Sequence, residues 1–144
     1  MIAYLDTSAL IKLYVAESGQ ELVIERLRAA NQVATALITY VEMFGVFTRL
    51  EKERRISAAE CRMLSEQFDG NWSSYWVVDL TRSVVRRAAR LAHRYALRGY
   101  DAVQLSSALE LRGNDAKVEF LCFDRRLAAS AQRERLLISG NPAR

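Results

Sequence analysis

Four carboxylates stand where chemistry is possible: Asp6, Glu42, Asp101 and Asp124. Asp6 closes the apolar run Ile2-Ala3-Tyr4-Leu5, and Asp124 closes Val118-Glu119-Phe120-Leu121-Cys122-Phe123. A carboxylate directly after a buried strand is costly unless it has a partner. In open α/β sheets, ligands bind outside the carboxyl ends of the strands. Glu42 and Asp101 stand near helix starts that follow strands or loops, and such junctions belong to the same rim. Carboxylates that converge repel one another and call for a cation. Hard oxygen ligands with no His or Cys beside them select Mg²⁺ or Mn²⁺ over zinc. Such an ion orients phosphate, activates water and stabilises a leaving oxygen, so the reaction class is hydrolysis of a phosphodiester. Each acid also has a plainer reading. Glu42 has the spacing to close a capping box with Thr39. Asp101 could cap a helix, and Asp124, before Arg125-Arg126, could be a cap or an ion pair. Taken singly, the structural reading is the stronger one for three of the four; Asp6 is the hardest to explain that way. Their joint placement carries the functional reading.

The elements that must position these acids are legible as an alternation of short apolar strands with helices. Residues 2–5 read as a buried strand, followed by a helix over Ala9–Val15 that Thr7 or Ser8 could cap. A second helix opens at Ser18-Gly19-Gln20-Glu21 and runs to about Ala30. Residues 33–38 suit a second strand, and the helix after it runs from Thr39 to about Arg55. Ser57-Ala58-Ala59-Glu60 is a second capping-box spacing. Trp76–Leu80 reads as a strand, with Thr81 capping a long helix that ends near Gly99. Asp101 opens the next helix, which ends near Gly113. Val118–Phe123 is a strand, a helix covers about 125–134, Leu136-Leu137-Ile138 suits a last strand, and Gly140-Asn141-Pro142 begins a loose tail. This order implies a single α/β domain over 1–144, with a parallel sheet covered on both faces.

Composition agrees. A chain of 144 residues, 51% hydrophobic with one proline, is long enough for a core and is neither disordered nor turn-rich. No run is long enough to span a bilayer, and the start lacks a charged leader, so a cytoplasmic protein without membrane contact is expected. Cys61 and Cys122 fit no metal spacing and read as buried thiols. There are 21 Lys+Arg, nearly all arginine, against 17 Asp+Glu. Without the four site acids, 21 cations face 13 anions, a net +8. A negative pocket in a basic surface suits a nuclease.

Four segments, in order, resemble the motifs of VapC toxins, the PIN-domain ribonucleases of bacterial VapBC toxin–antitoxin pairs. They are Leu5-Asp6-Thr7-Ser8-Ala9-Leu10-Ile11-Lys12-Leu13-Tyr14, Ile38-Thr39-Tyr40-Val41-Glu42, Arg98 to Ala108 around Asp101, and Phe120 to Ala128 around Asp124. The resemblance implies a PIN-like three-layer α/β/α fold with a central parallel sheet. It implies a Mg²⁺-dependent ribonuclease acting on structured RNA such as tRNA or a ribosomal RNA loop. It further implies a VapB-type antitoxin partner and a homodimer. The family's metal-site acids carry over to Asp6, Glu42, Asp101 and Asp124, and its hydroxyl to Ser8, with Thr7 the weaker match. Many members have a His where this chain has Gln104, which is read as unnecessary for chemistry.

Other features have plainer readings. Arg82, Arg86, Arg90, Arg94 and Arg98 step by four residues and drift about 40° per step, so they wind round their helix. A solvated face is expected, with Arg98 reaching the pocket rim. Trp72, Tyr75 and Trp76 suit packing or a subunit contact. Phe44 and Phe47 suit the core or an antitoxin groove. His93 is expected to be non-catalytic, and Lys12 either touches phosphate or lies at the surface. A haloacid-dehalogenase-type phosphotransferase needs an acid where Ser8 stands, and a receiver domain needs adjacent acids before its first helix. The remaining alternatives are a PIN nuclease of RNA processing and a non-catalytic PIN binding module.

Overall fold

The computed structural model describes residues 1–113 and 116–140. Among these residues, five strands form one parallel sheet: β1 (Ile2–Leu5), β2 (Gln32–Ala36), β3 (Trp76–Val78), β4 (Val118–Leu121) and β5 (Leu137–Ser139). Their spatial order is β3-β2-β1-β4-β5. The chain therefore winds outward from β1 in both directions, and the carboxyl ends of β1 and β4 form the crevice where the winding reverses. Ligands of such sheets bind at that crevice.

Among the described residues, seven α-helices cover the two faces: α1 (Thr7–Leu10), α2 (Gln20–Ala29), α3 (Thr39–Lys52), α4 (Ala58–Asn71), α5 (Arg82–Tyr95), α6 (Gly99–Arg112) and α7 (Arg125–Arg133). Alternation along β1 divides the core. Tyr4 joins Ala34, Leu105, Phe120 and Leu127 beneath α5, α6 and α7. Ala3 and Leu5 join Val23, Met43, Phe47 and Phe68 beneath α1 to α4. β1 and β4 are buried end to end, as strands covered on both faces must be. Glu119, a buried acid within β4, is held by Arg26 of α2 at 2.8 Å and by the Ser139 hydroxyl.

α6 is buried over most of its length, because it lies between the sheet and α5. Small residues allow the close approach: Ser106 Oγ donates to the Val84 carbonyl of α5 at 2.7 Å. The capping box at Ser57 is present as the sequence predicts, and Thr81 caps α5.

Several boundaries differ from the sequence reading. The first helix is one turn, α1, followed by a 3-10 turn over Ile11–Leu13, and Asp6 caps it in place of Thr7 or Ser8. Three strands are shorter than expected, ending at Ala36, Val78 and Leu121. α3 stops at Lys52 and α5 at Tyr95, where Ala96 takes a left-handed conformation (φ 52°). Gly99 opens α6, so Asp101 sits in its first turn and is not its cap. Thr39 and Glu42 form no capping box: the residue before α3 is Ile38, which makes no side-chain cap bond. Cys122 is buried and Cys61 half-buried. Residues 141–144 of the expected tail lie outside the described residues. No helix of the described residues is long and apolar enough to cross a membrane.

Candidate functional site

Asp6 is the first residue beyond β1 and is only 4% exposed. Its Oδ1 accepts from Ser8 Oγ at 2.7 Å and from the Ala9 N–H at 3.0 Å. Ser8 Oγ in turn accepts the Phe123 N–H at 2.9 Å, so one hydroxyl fastens the end of β4 to the end of β1. Asp124 lies beyond β4, where its Oδ1 caps α7 by accepting the Leu127 N–H at 2.8 Å. The capping role and the place at the site therefore hold for Asp124 at once. Each cap engages Oδ1, which leaves Oδ2 for other partners.

Glu42 enters from the first turn of α3. Its Oε1 accepts from Thr7 Oγ1 at 2.8 Å and from Gln104 Nε2 at 2.9 Å. Gln104, 2% exposed, sits one turn after Asp101 on α6. Its Nε2 also donates to Thr39 Oγ1 at 2.9 Å, and its Oε1 accepts from the Tyr4 hydroxyl at 2.6 Å. Burial pushes the Tyr4 phenol well up, and the Asp6 charge adds to this. Tyr4 therefore stays a donor and fixes which end of the Gln104 amide faces Glu42. The Thr39 hydroxyl belongs to this network, which is why it caps nothing.

Asp6, Glu42, Asp101 and Asp124 line one pocket of about 580 Å³, together with Thr7 and Ser8. Their electrostatics show the convergence. Burial raises the Asp6 carboxyl to about 6 against the bonds from Ser8, Cys122 and Ala9, and the Asp101 charge adds to the rise. Asp101 is raised by burial first, then by the charges of Asp124 and Glu42, with Arg98 opposing. Burial and the Asp6 charge push the Cys122 thiol far up, so it is an inert neighbour and not a nucleophile.

The donor set is oxygen only, which fits a hard divalent cation. Among the described residues, no three His, Cys, Asp or Glu side chains are grouped so as to enclose a metal by themselves. Mg²⁺ suits such an open site, because it keeps several waters and takes only one or two carboxylates directly.

Gln104, Arg49 and Arg55 are among the lining residues whose part sequence reasoning misses. Gln104, which reads as dispensable in the sequence, orients Glu42. Arg49 and Arg55 supply cationic walls, although the spacing of the α5 arginines points to that helix instead. Arg49 follows Glu42 by two turns of α3, a spacing that puts both on one face. Arg98 does not line the pocket but favours the ionised form of Asp101. Lys12 is buried, bonded to Glu17 at 2.9 Å and to the Ser18 carbonyl at 2.6 Å, and is not a surface residue. Its ammonium lies 4.3 Å from the Phe123 ring centroid. Phe47 is core and Phe44 packs against it, as do Trp72 and Tyr75; Trp76 is 39% exposed on the edge strand, and His93 is exposed.

Comparison with known proteins places this geometry. The chain is 28% identical over 130 residues to Ribonuclease VapC45 of Mycobacterium tuberculosis, covering 90% of this chain and 89% of that protein. Among solved structures, it resembles VapBC2 from Rickettsia felis bound to a promoter DNA fragment, with a TM-score of 0.67, 14% identity and coverage of 98% and 99% of the two chains. It also resembles VapC20 of Mycobacterium tuberculosis, a sarcin–ricin-loop-cleaving toxin, with a TM-score of 0.62, 18% identity and coverage of 89% and 94%. The PIN-domain model matches residues 3–133, so the chain belongs to the PIN-domain family.

Proposed function

We propose that this protein is a Mg²⁺-dependent endoribonuclease, with Mn²⁺ able to substitute, and the toxin of a VapBC-type pair. The observation that carries the reading is the convergence of Asp6, Glu42, Asp101 and Asp124 on one pocket, with two of the four held above their ordinary pKa. Asp6, Asp101 and Asp124 would hold the cation, with Glu42 at its edge. The bound ion would polarise the scissile phosphate and lower the pKa of water.

The chain's own groups supply the rest. Ser8 and Ala9 orient Asp6, and Tyr4 and Gln104 orient Glu42. Both bonds to Glu42 end on Oε1, leaving Oε2 to accept a proton from the attacking water. Arg49 and Arg55 offer guanidinium groups to the phosphates beside the scissile one. The relative named as a ribonuclease supports RNA as the polymer, and the sarcin–ricin-cleaving structural neighbour supports structured RNA, whether ribosomal or transfer. The likeness to VapBC2 supports a VapB-type antitoxin as partner, and a homodimer in the cytoplasm completes the proposal.

The test is cleavage of total cellular RNA, with the product ends mapped. Attack by water gives 5′-phosphate and 3′-hydroxyl ends, abolished by EDTA. Products ending in 2′,3′-cyclic phosphate, or cleavage that survives EDTA, would contradict the proposal.

A further inference from the structure

The two faces of the sheet differ in charge. The helices α1 to α4 carry five Lys+Arg against seven Asp+Glu, whereas α5 to α7 carry nine against two. On that second face the arginines gather around two hollows. One, of about 350 Å³, is lined by Arg94, Arg126 and Arg133 together with Tyr95, Ala96 and Ser130. The other, of about 270 Å³, is lined by Arg87, Arg90, Arg94 and Arg112, with Glu134 the one acid among them. Arg94 lines both, so the hollows adjoin along its side chain. Arg126 Nη1 donates to the Ala96 carbonyl at 3.3 Å, two residues before Arg98, whose charge acts on Asp101 in the acidic pocket.

The stripe along α5 alone winds too much to make a surface. Side chains from α5, α6 and α7 together make one. Parts of the set are internally fixed: Arg87 pairs with Glu110 and Arg94 with Glu134, both at 2.8 Å. Arg90 and Arg133 project from exposed positions. Leu91 and Leu109 line the floor of the second hollow but are buried, and the exposed Val85 and Tyr100 of α5 and α6 line neither hollow, so the hollows themselves offer cations without an apolar anchor. A protein partner is held by such anchors, whereas a nucleic-acid backbone needs none.

We infer that the arginine face of α5, α6 and α7 is a second binding site for RNA. It holds backbone phosphates of the part of a structured RNA that lies outside the acidic pocket. The inference rests on the nuclease reading for the identity of the polymer. Its role is to select long, folded RNA over short strands, because only the former reaches both places.

The double variant Arg90→Ala/Arg133→Ala tests it without touching the acidic pocket. Binding of bulk tRNA is measured in EDTA over a salt series, and cleavage of a short single-stranded oligonucleotide is measured in Mg²⁺. The expected result is weaker tRNA binding, with the slope of log K against log salt reduced by about 0.7–0.9 for each phosphate that is no longer neutralised. Oligonucleotide cleavage stays at the wild-type rate. An unchanged slope and affinity would overturn the inference. So would a variant that binds tRNA normally but loses self-association or antitoxin binding. Failure of the nuclease reading looks different: the wild-type chain itself would leave the oligonucleotide uncut. A Tm equal to wild type shows that the variant is folded.

Discussion

Asp6 sets function against stability within a single side chain. Its carboxyl titrates near 6 in the fold against 3.8 ordinarily, chiefly because it is buried. A raised folded pKa means the native state holds its proton longer than the unfolded chain does. Stability is therefore full below the ordinary value and falls as pH rises through about 6. The shift corresponds to about 3 kcal/mol. Asp6→Asn is expected to raise Tm at pH 7.5 in EDTA, to have little effect on it below pH 4, and to abolish cleavage. A cation favours the ionised carboxylate, so Mg²⁺ should raise the Tm of wild type at pH 7.5 and leave the variant unmoved. Cleavage by the wild type should rise with pH for the same reason, with a midpoint that moves below about 6 as Mg²⁺ is raised. Gln104→Leu leaves the Tyr4 hydroxyl, Thr39 and Glu42 each short of a partner. A loss of about 1–3 kcal/mol in chemical denaturation is expected, with cleavage lowered about 10–100-fold. At this scale Asp6 is the most legible residue, because a carboxylate after a buried run is anomalous by itself. Gln104 is not: an amide in an apolar helix reads the same whether it is an orienting group or a satisfied core residue. Only its spatial neighbours distinguish the two.

At the scale of elements, the site is a join between two strand ends and two helix starts, and its precision depends on a few fasteners. Ser8 ties β4 to β1, and Ser8→Ala removes the acceptor for the Phe123 N–H and the donor to Asp6. Gly140 follows β5 with φ 115°, and a Cβ there would collide with the Cys122 carbonyl oxygen, beside the loop that carries Asp124. Gly140→Ala is expected to lower Tm strongly and to lower cleavage as well, because the conflict lies against backbone that cannot yield cheaply. Ser57→Ala, by contrast, removes a cap far from the pocket; a loss of about 1 kcal/mol with unaltered cleavage is expected. The order of strands and helices can be read from apolar runs and capping spacings. Their ends cannot, since they are decided by tertiary bonds. Asp6 takes the cap that Thr7 and Ser8 were free to take, Thr39 gives its hydroxyl to Gln104 and Thr35, and Ala96 ends α5 without a glycine to announce it.

At the scale of the whole molecule, an acidic pocket lies at the rim of a sheet whose two faces carry opposite charge balances. A polyanion approaching the basic face is held close to a site that would repel it without a cation. The overall net charge marks a polyanion as a fitting partner, but only the fold separates the acidic helices from the basic ones. The central claim is that the four carboxylates act together as a cation site that cuts RNA. The most direct test is a Mn²⁺ titration of metal-free protein followed by electron paramagnetic resonance, with RNA cleavage read in the same samples. The wild-type chain is expected to deplete the free Mn²⁺ signal and to cut RNA in step with occupancy. Asp101→Asn, folded to the same Tm or higher, should do neither. Cleavage by Asp101→Asn at the wild-type rate, or cleavage by the wild type with no Mn²⁺ bound, would contradict the claim.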